Sequence, residues 1–142
     1  MLRDCPLTTC EDGFCRPILN IRIHNPHTNL SVATYGIIDT GADECSIPAE
    51  YAAILGHDLL KGTVKSINTG NGVTQAYSHT TTLEIYSPVN NNSIYRLDNV
   101  LIDFLPNLQV VLLGVKSFLS NFILTVDYPQ KKLSIIIPKK SA

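Results

Sequence analysis

The chain has 142 residues, 44% of them hydrophobic, the size of one ordinary domain with enough apolar side chains for its own core. Charged residues are only 16%, which argues against a disordered tail or a charge-laced helical rod. Lys+Arg 11 against Asp+Glu 12 leaves a net charge of −1, without the basic excess of a nucleic-acid binder. Lys139-Lys140 at the tail reads as a solvated end. No apolar run is long enough to cross a bilayer, and Met1–Pro6 lacks the apolar core of a secretory signal. The expectation is a cytoplasmic protein with neither a membrane nor a nucleic acid among its partners.

Cysteines stand at 5, 10, 15 and 45. The first three form Cys-x4-Cys-x4-Cys ahead of His24 and His27, a wider spacing than the Cys-x2-Cys pairs of zinc knuckles. Free thiols are the favoured reading over a disulfide or a metal site. Asp12-Gly13 reads as a turn, and residues 1–15 read as a loose arm.

From Ile18 onward the pattern is β. Leu19, Ile21 and Ile23 alternate with Asn20, Arg22 and His24, the period of a half-buried strand. A turn at Asn25–Asn29 and a second extended run to Ile38 complete a hairpin. Ala49–Leu55 predicts a short helix closed by Gly56. Residues 62–87 predict a longer hairpin turning at Asn68–Gly72, its return strand placing Val73, Gln75, Tyr77, His79, Thr81, Leu83 and Ile85 on one side. Much of this hairpin is expected to project into solvent. Ser87–Ser93 reads as a surface loop. Strands are expected at Asn99–Phe104 and Leu108–Leu112, and a short helix at Val115–Leu119. A last hairpin joins Leu124–Asp127 to Leu133–Ile137 through Tyr128–Lys131. The fold class is therefore all-β, with one or two short helices and no internal repeat.

The stretch that carries chemistry is Gly36-Ile37-Ile38-Asp39-Thr40-Gly41-Ala42-Asp43, in which an apolar strand delivers an aspartate to its end and a Thr-Gly turn follows. Taken alone, these residues also fit an ordinary strand and tight turn. They are followed by Ser46-Ile47-Pro48, the helix ending Leu55-Gly56, then Val111-Leu112-Leu113-Gly114, Phe118-Leu119 and Leu124-Thr125-Val126-Asp127-Tyr128. This succession, spanning Ile18 to Ile137, resembles the retropepsin-like aspartic proteases, particularly their cellular and bacterial members.

The resemblance implies a closed β-barrel protomer over residues 16–142, half of a pepsin-like enzyme. With one Asp-Thr-Gly in the chain, it implies an active site formed at the two-fold axis of a homodimer. Asp39 of each copy would form a dyad sharing one proton, one member activating water and the other donating to the peptide carbonyl. Thr40 would bond across the axis, and Gly41 would let backbone approach where a Cβ would crowd. Ala42 and Asp43, with Gly70, Asn71 and Gly72 at the tip of a flap-like hairpin, would contact a peptide or protein substrate. No metal or cofactor is implied.

The sequence also departs from the family's pattern. Retroviral members carry Arg directly after the second glycine, paired with the acid past Asp-Thr-Gly-Ala; here that position is Val115, with Lys116 beside it. Asp43 is thus either paired elsewhere or solvated, and Leu133–Ile137 is either a dimer edge or the last core strand. His24, His27, His57 and His79 show no metal spacing and read as surface or turn residues, and Cys45 reads as a small thiol packed beneath the Asp-Thr-Gly loop. The competing function is a catalytically silent module of the same fold, kept for dimerisation or peptide binding.

Overall fold

The computed structural model describes residues 1–70 and 72–138. Asn71 and the Lys139-Lys140 pair lie outside the described residues. In chain order the elements are β1 (Leu2–Pro6), β2 (Thr8–Thr9), β3 (Cys15–Arg16), β4 (Ile18–His24), β5 (Ser31–Ile38), β6 (Ser46–Pro48), α1 (Tyr51–Ile54), β7 (Thr63–Thr69), β8 (Gly72–Tyr86), β9 (Ser93–Leu105), β10 (Val111–Leu113), β11 (Ile123–Asp127) and β12 (Lys132–Ile136). The fold is all-β.

Seven strands form one sheet in the order β4-β5-β10-β6-β9-β8-β7, and a further pairing of β4 with β8 closes six of them into a barrel. Closure depends on the length of β8. Its second half, Thr82–Tyr86, pairs with β4, while its first half, Gly72–Ser78, pairs with β7. On its other edge β8 pairs with β9, a ladder that ends at Tyr77 opposite Phe104. Beyond that rung the β7–β8 hairpin continues from Lys65 and Ala76 outward as a two-stranded ribbon. The projecting hairpin expected from the polar composition is therefore present.

The barrel is filled as the alternation of β4 requires. Leu19, Ile21 and Ile23 are buried and meet Leu83, Ile85, Ile47, Phe104 and Leu113 in one core. β8 keeps one alternation along its length. Tyr77 and His79 stand opposite Phe104 and Ile102, and Leu83 and Ile85 opposite Leu97 and Tyr95, on the core face. The register shift between Thr81 and Leu83 places its extra residue on β9, where Asn99 has a positive φ. The odd-numbered residues of β8 therefore share one side, as the sequence alternation groups them, while Ala76 and Ser78 are buried on the other side, with Asp103.

Both expected helices are shorter than the sequence predicts. α1 is a single turn ending at Gly56, whose φ of +76° suits glycine. In the second, Leu119 and Ser120 donate backbone bonds to Gly114 and Val115, five residues back. The segment winds as a wide turn before a 3-10 turn at Leu119–Asn121, so no α-helix forms at Val115–Leu119. The expected strand at Leu108–Leu112 is only Val111–Leu113, and the one at Asn99–Phe104 is the end of the longer β9.

The first residues are integral to the fold and do not form a loose arm. β1 pairs with β12, which pairs in turn with β11, making a second sheet in the order β1-β12-β11. β12 is therefore a central strand, with Leu133 and Ile135 buried, and the open edges belong to β1 and β11. Leu2, Cys5 and Leu7 are buried against the same core. Asp12 and Arg16 clasp the β2–β3 hairpin through two bonds of 2.9 and 2.7 Å. No helix among the described residues is long and apolar enough to cross a membrane. Deletion of residues 1–9 uncovers Leu133 and Ile135 and should lower unfolding free energy by at least about 3 kcal/mol, read as a shift of the urea midpoint.

Candidate active site

Asp39 follows the last residue of β5, and its position is set by the parallel pairing of β5 with β10, Gly36 to Ile38 opposite Val111 to Leu113. The Asp39 N–H donates to the Leu113 carbonyl at 3.1 Å, and its carbonyl accepts from Ala42 N–H at 3.2 Å. The Gly41 N–H donates to the Asp39 carboxylate at 3.0 Å, a charge-assisted bond that fixes the side chain against its own turn. From the other side, Val115 and Lys116 N–H groups donate to the carbonyls of Ala42 and Asp43 at 2.9 and 2.7 Å. Gly114 makes this possible: a Cβ there would overlap the Glu44 and Ala42 backbone. At Gly41 a Cβ would come within 3.3 Å of the Asp39 carboxylate.

Asp39, Gly41, Ala42 and Asp43 line a cleft of about 570 Å³ whose opposite wall is the β7 side of the ribbon, from Lys65 to Asn68, with Gly70. Loop and hairpin tip, far apart in sequence, thus share one concavity. Thr40 is exposed, and its hydroxyl has no partner among the described residues. Gly72, with φ +106°, begins β8 beyond the cleft lining; Asn71 is not described. Asp43 is exposed and forms no ion pair among the described residues, although Lys116 lies beside it. It is one of the cleft-lining residues.

Two further cleft residues were not picked out from the sequence. Asp103 on β9 is 3% exposed, yet it carries a carboxylate bonded by Lys65 Nζ at 2.8 Å and by the Ser78 hydroxyl at 2.7 Å. The available signal was a lone acid inside the apolar run Val100–Leu105, where burial demands a partner. Glu44, next to Asp43, accepts from the Ser117 hydroxyl at 3.3 Å.

All four cysteines are free. Cys45 is buried beside the loop, and burial first, then the nearby Glu44 carboxylate, pushes its thiol up to about 11. It is thus a packing residue, since a nucleophile would need the thiolate. Among the described residues no group of three or more His, Cys, Asp or Glu is placed to hold a metal.

His57 and His79, expected as surface or turn residues, are half-buried, His57 just after the turn at Leu55-Gly56 and His79 on β8. Their rings are 4.6 Å apart, each edge-on to Phe104, at the root of the ribbon. His79 stands opposite Ile102 of β9, and its Nε2 donates to the Leu59 carbonyl at 2.9 Å. Burial, then the neighbouring His79 and His27, lowers the His57 pKa to about 4 from its ordinary 6.5.

Two predictions follow from this geometry. Gly114→Ala should destabilise the protein by about 3 kcal/mol, because backbone rather than a flexible side chain opposes the new methyl; equilibrium urea unfolding checks it. Between pH 6.5 and pH 4 the unfolded state binds a proton at His57 that the folded state refuses, so stability falls as pH drops through this window. His57→Gln should lose less stability across the window than the parent chain, measured by thermal midpoints at fixed ionic strength.

No protein-family model and no curated protein matches the chain. Among solved structures, a retropepsin-like aspartic protease from Rickettsia conorii is similar over 96% of this chain and 100% of its own, with 24% identity and a TM-score of 0.63. The barrel, the loop at Asp39 and the projecting ribbon are thus those of a known architecture: the chain has the fold of a retropepsin-like aspartic protease protomer.

Proposed function

We propose that the chain is one half of an aspartic endopeptidase, active as a homodimer in which Asp39 of each copy forms the catalytic pair. The observation that carries this reading is that Asp39, anchored by the Gly41 N–H, opens onto a cleft walled by the ribbon. Two carboxylates about 3 Å apart cannot both ionise, so the pair holds one proton between them. The ionised member removes a proton from water as it attacks the peptide carbonyl, and the protonated member donates to the carbonyl oxygen.

Several features support the paired arrangement. The chain contains a single Asp-Thr-Gly, so one copy supplies only one of the two acids. The Thr40 hydroxyl is exposed and unpartnered among the described residues, as a group that bonds across an axis would be. The outer edge of β11 is open and carries the exposed Ile123, a surface that gains from a second strand. β7 is likewise a terminal strand of its sheet, so an extended peptide can lie along it by backbone hydrogen bonding. The ribbon acts as the flap over that peptide, with Ala42, Asp43, Gly70, Asn71 and Gly72 as its nearest contacts.

Cleavage of a diverse peptide mixture, read by mass spectrometry across pH, tests the reading. Cuts should appear in acid with a bell-shaped profile, and Asp39→Asn should lower their rate by at least about a thousandfold while leaving the oligomeric state unchanged. Cleavage retained in that variant would overturn the mechanism. A dimer without cleavage at any pH would instead favour a peptide-binding module.

A further inference from the structure

We propose that Lys65 and Asp103 form a latch at the root of the flap and serve as positioning residues for the substrate cleft. This rests on the reading of the ribbon as a flap. The ladder between β8 and β9 ends at Tyr77 opposite Phe104, and Lys65 opposite Ala76 is the first rung beyond it. From this rung outward β7 and β8 have only each other, and a two-stranded hairpin alone is marginally stable in water. Something must hold its direction relative to the cleft.

The register puts the latch at that point. Residues directly opposite in antiparallel strands share a face, so Lys65 and Ala76 lie on the same side as Ser78 and its β9 partner Asp103. That side is the cleft side, since Lys65, Asp103 and Leu105 all line it. Ala76 is fully buried and small, which lets the lysine stem pass over it toward Asp103. The Lys65 ammonium reaches the carboxylate at 2.8 Å, and Ser78 on the intervening strand donates to the same group at 2.7 Å. Three strands are tied through one buried acid.

The asymmetry of exposure gives the tie its strength. The Asp103 side chain is 4% exposed and that of Lys65 45%. The acid is enclosed with two partners, and removing one leaves a buried charge short of a donor. The lysine is the movable half, and its neighbours Ser66, Ile67 and Asn68 form the cleft wall. Loss of the tie therefore frees the wall that substrate meets, while the barrel strands β4, β5 and β10 keep all their bonds.

Amide hydrogen exchange on the full chain, followed by mass spectrometry, tests this without requiring activity. Lys65→Met and the isosteric Asp103→Asn should each speed exchange in β7 and residues 72–76 by about tenfold, with β4 and β5 unchanged, and Lys65→Arg should restore protection. Unchanged exchange in the flap overturns the latch, as does faster exchange throughout the barrel, which would make the pair a general stabiliser. On a cleaved peptide, Lys65→Met should raise KM by about tenfold and leave kcat nearly unaltered; a change confined to kcat overturns the positioning role. Should the parent chain cleave no peptide, the endopeptidase reading fails while the exchange comparison still decides the latch.

Discussion

Where residues 113–116 cross residues 39–44, two stretches of backbone touch with no side chain between them. Below, Leu113 accepts the Asp39 N–H; above, Val115 and Lys116 donate to Ala42 and Asp43. Gly114 lies between these bonds, in a space that excludes even a methyl group. The acid-bearing loop is held on both sides by main-chain hydrogen bonds, whose geometry is narrower than that of side-chain packing. β10 can reach this crossing only because it runs parallel to β5 and is flanked on its other edge by β6. That insertion in turn brings β9, and with it Asp103, to the side of the cleft.

The low charge content of the chain has a structural counterpart. Few ionic groups are available, and those inside are fully engaged. Asn25, 1% exposed, donates to the Leu55 carbonyl at 2.8 Å and accepts from the His27 N–H at 2.9 Å, locking the β4–β5 turn to the end of α1. Glu84 gathers Tyr86, Ser93, His24 and Arg96 on the outer surface, and these bonds, Tyr86 first, hold its carboxyl below the usual range. Among the described residues no buried side-chain nitrogen or oxygen lacks a partner. Polar interior groups satisfied in this way specify one arrangement of strands, because any slipped register would strand them.

The sequence made the local elements legible where one physical signal governed them. β4, β5 and the last hairpin obey period-two alternation, and their turns carry Asn and Pro, which turns favour. Asp39 and the ribbon could be named because the Asp-Thr-Gly turn and the Gly-rich tip are local too. What escaped was decided across the chain. β1 has only two inward side chains, Leu2 and Cys5, and a positive φ at Asp4 breaks its alternation; it becomes a strand only because β12 offers an edge. β6, three residues long and ending in Pro48, exists by virtue of its neighbours β9 and β10. Lys65 and Asp103 are 38 positions apart and meet only through the register of three strands. The helix expected after Gly114 is replaced by a wide turn in which the Leu119 and Ser120 N–H groups bond five residues back.

β8 is continuous from the ribbon tip to the wall that closes the barrel, 15 residues in one extended run. The hairpin and the barrel are therefore not separate bodies joined by a loop but two arms of a single lever. The shift between Thr81 and Leu83 lies between the arms, where a bulge already concentrates twist. An extended strand resists stretching far more than it resists twisting, so movement of the outer arm arrives at this fulcrum as torsion. The His57–His79 pair lies against the same stretch of strand, through the bonds of Thr81 and Leu59. Torque applied at the tip is delivered to those two imidazoles before it reaches Leu83, Ile85 or the hydrophobic centre.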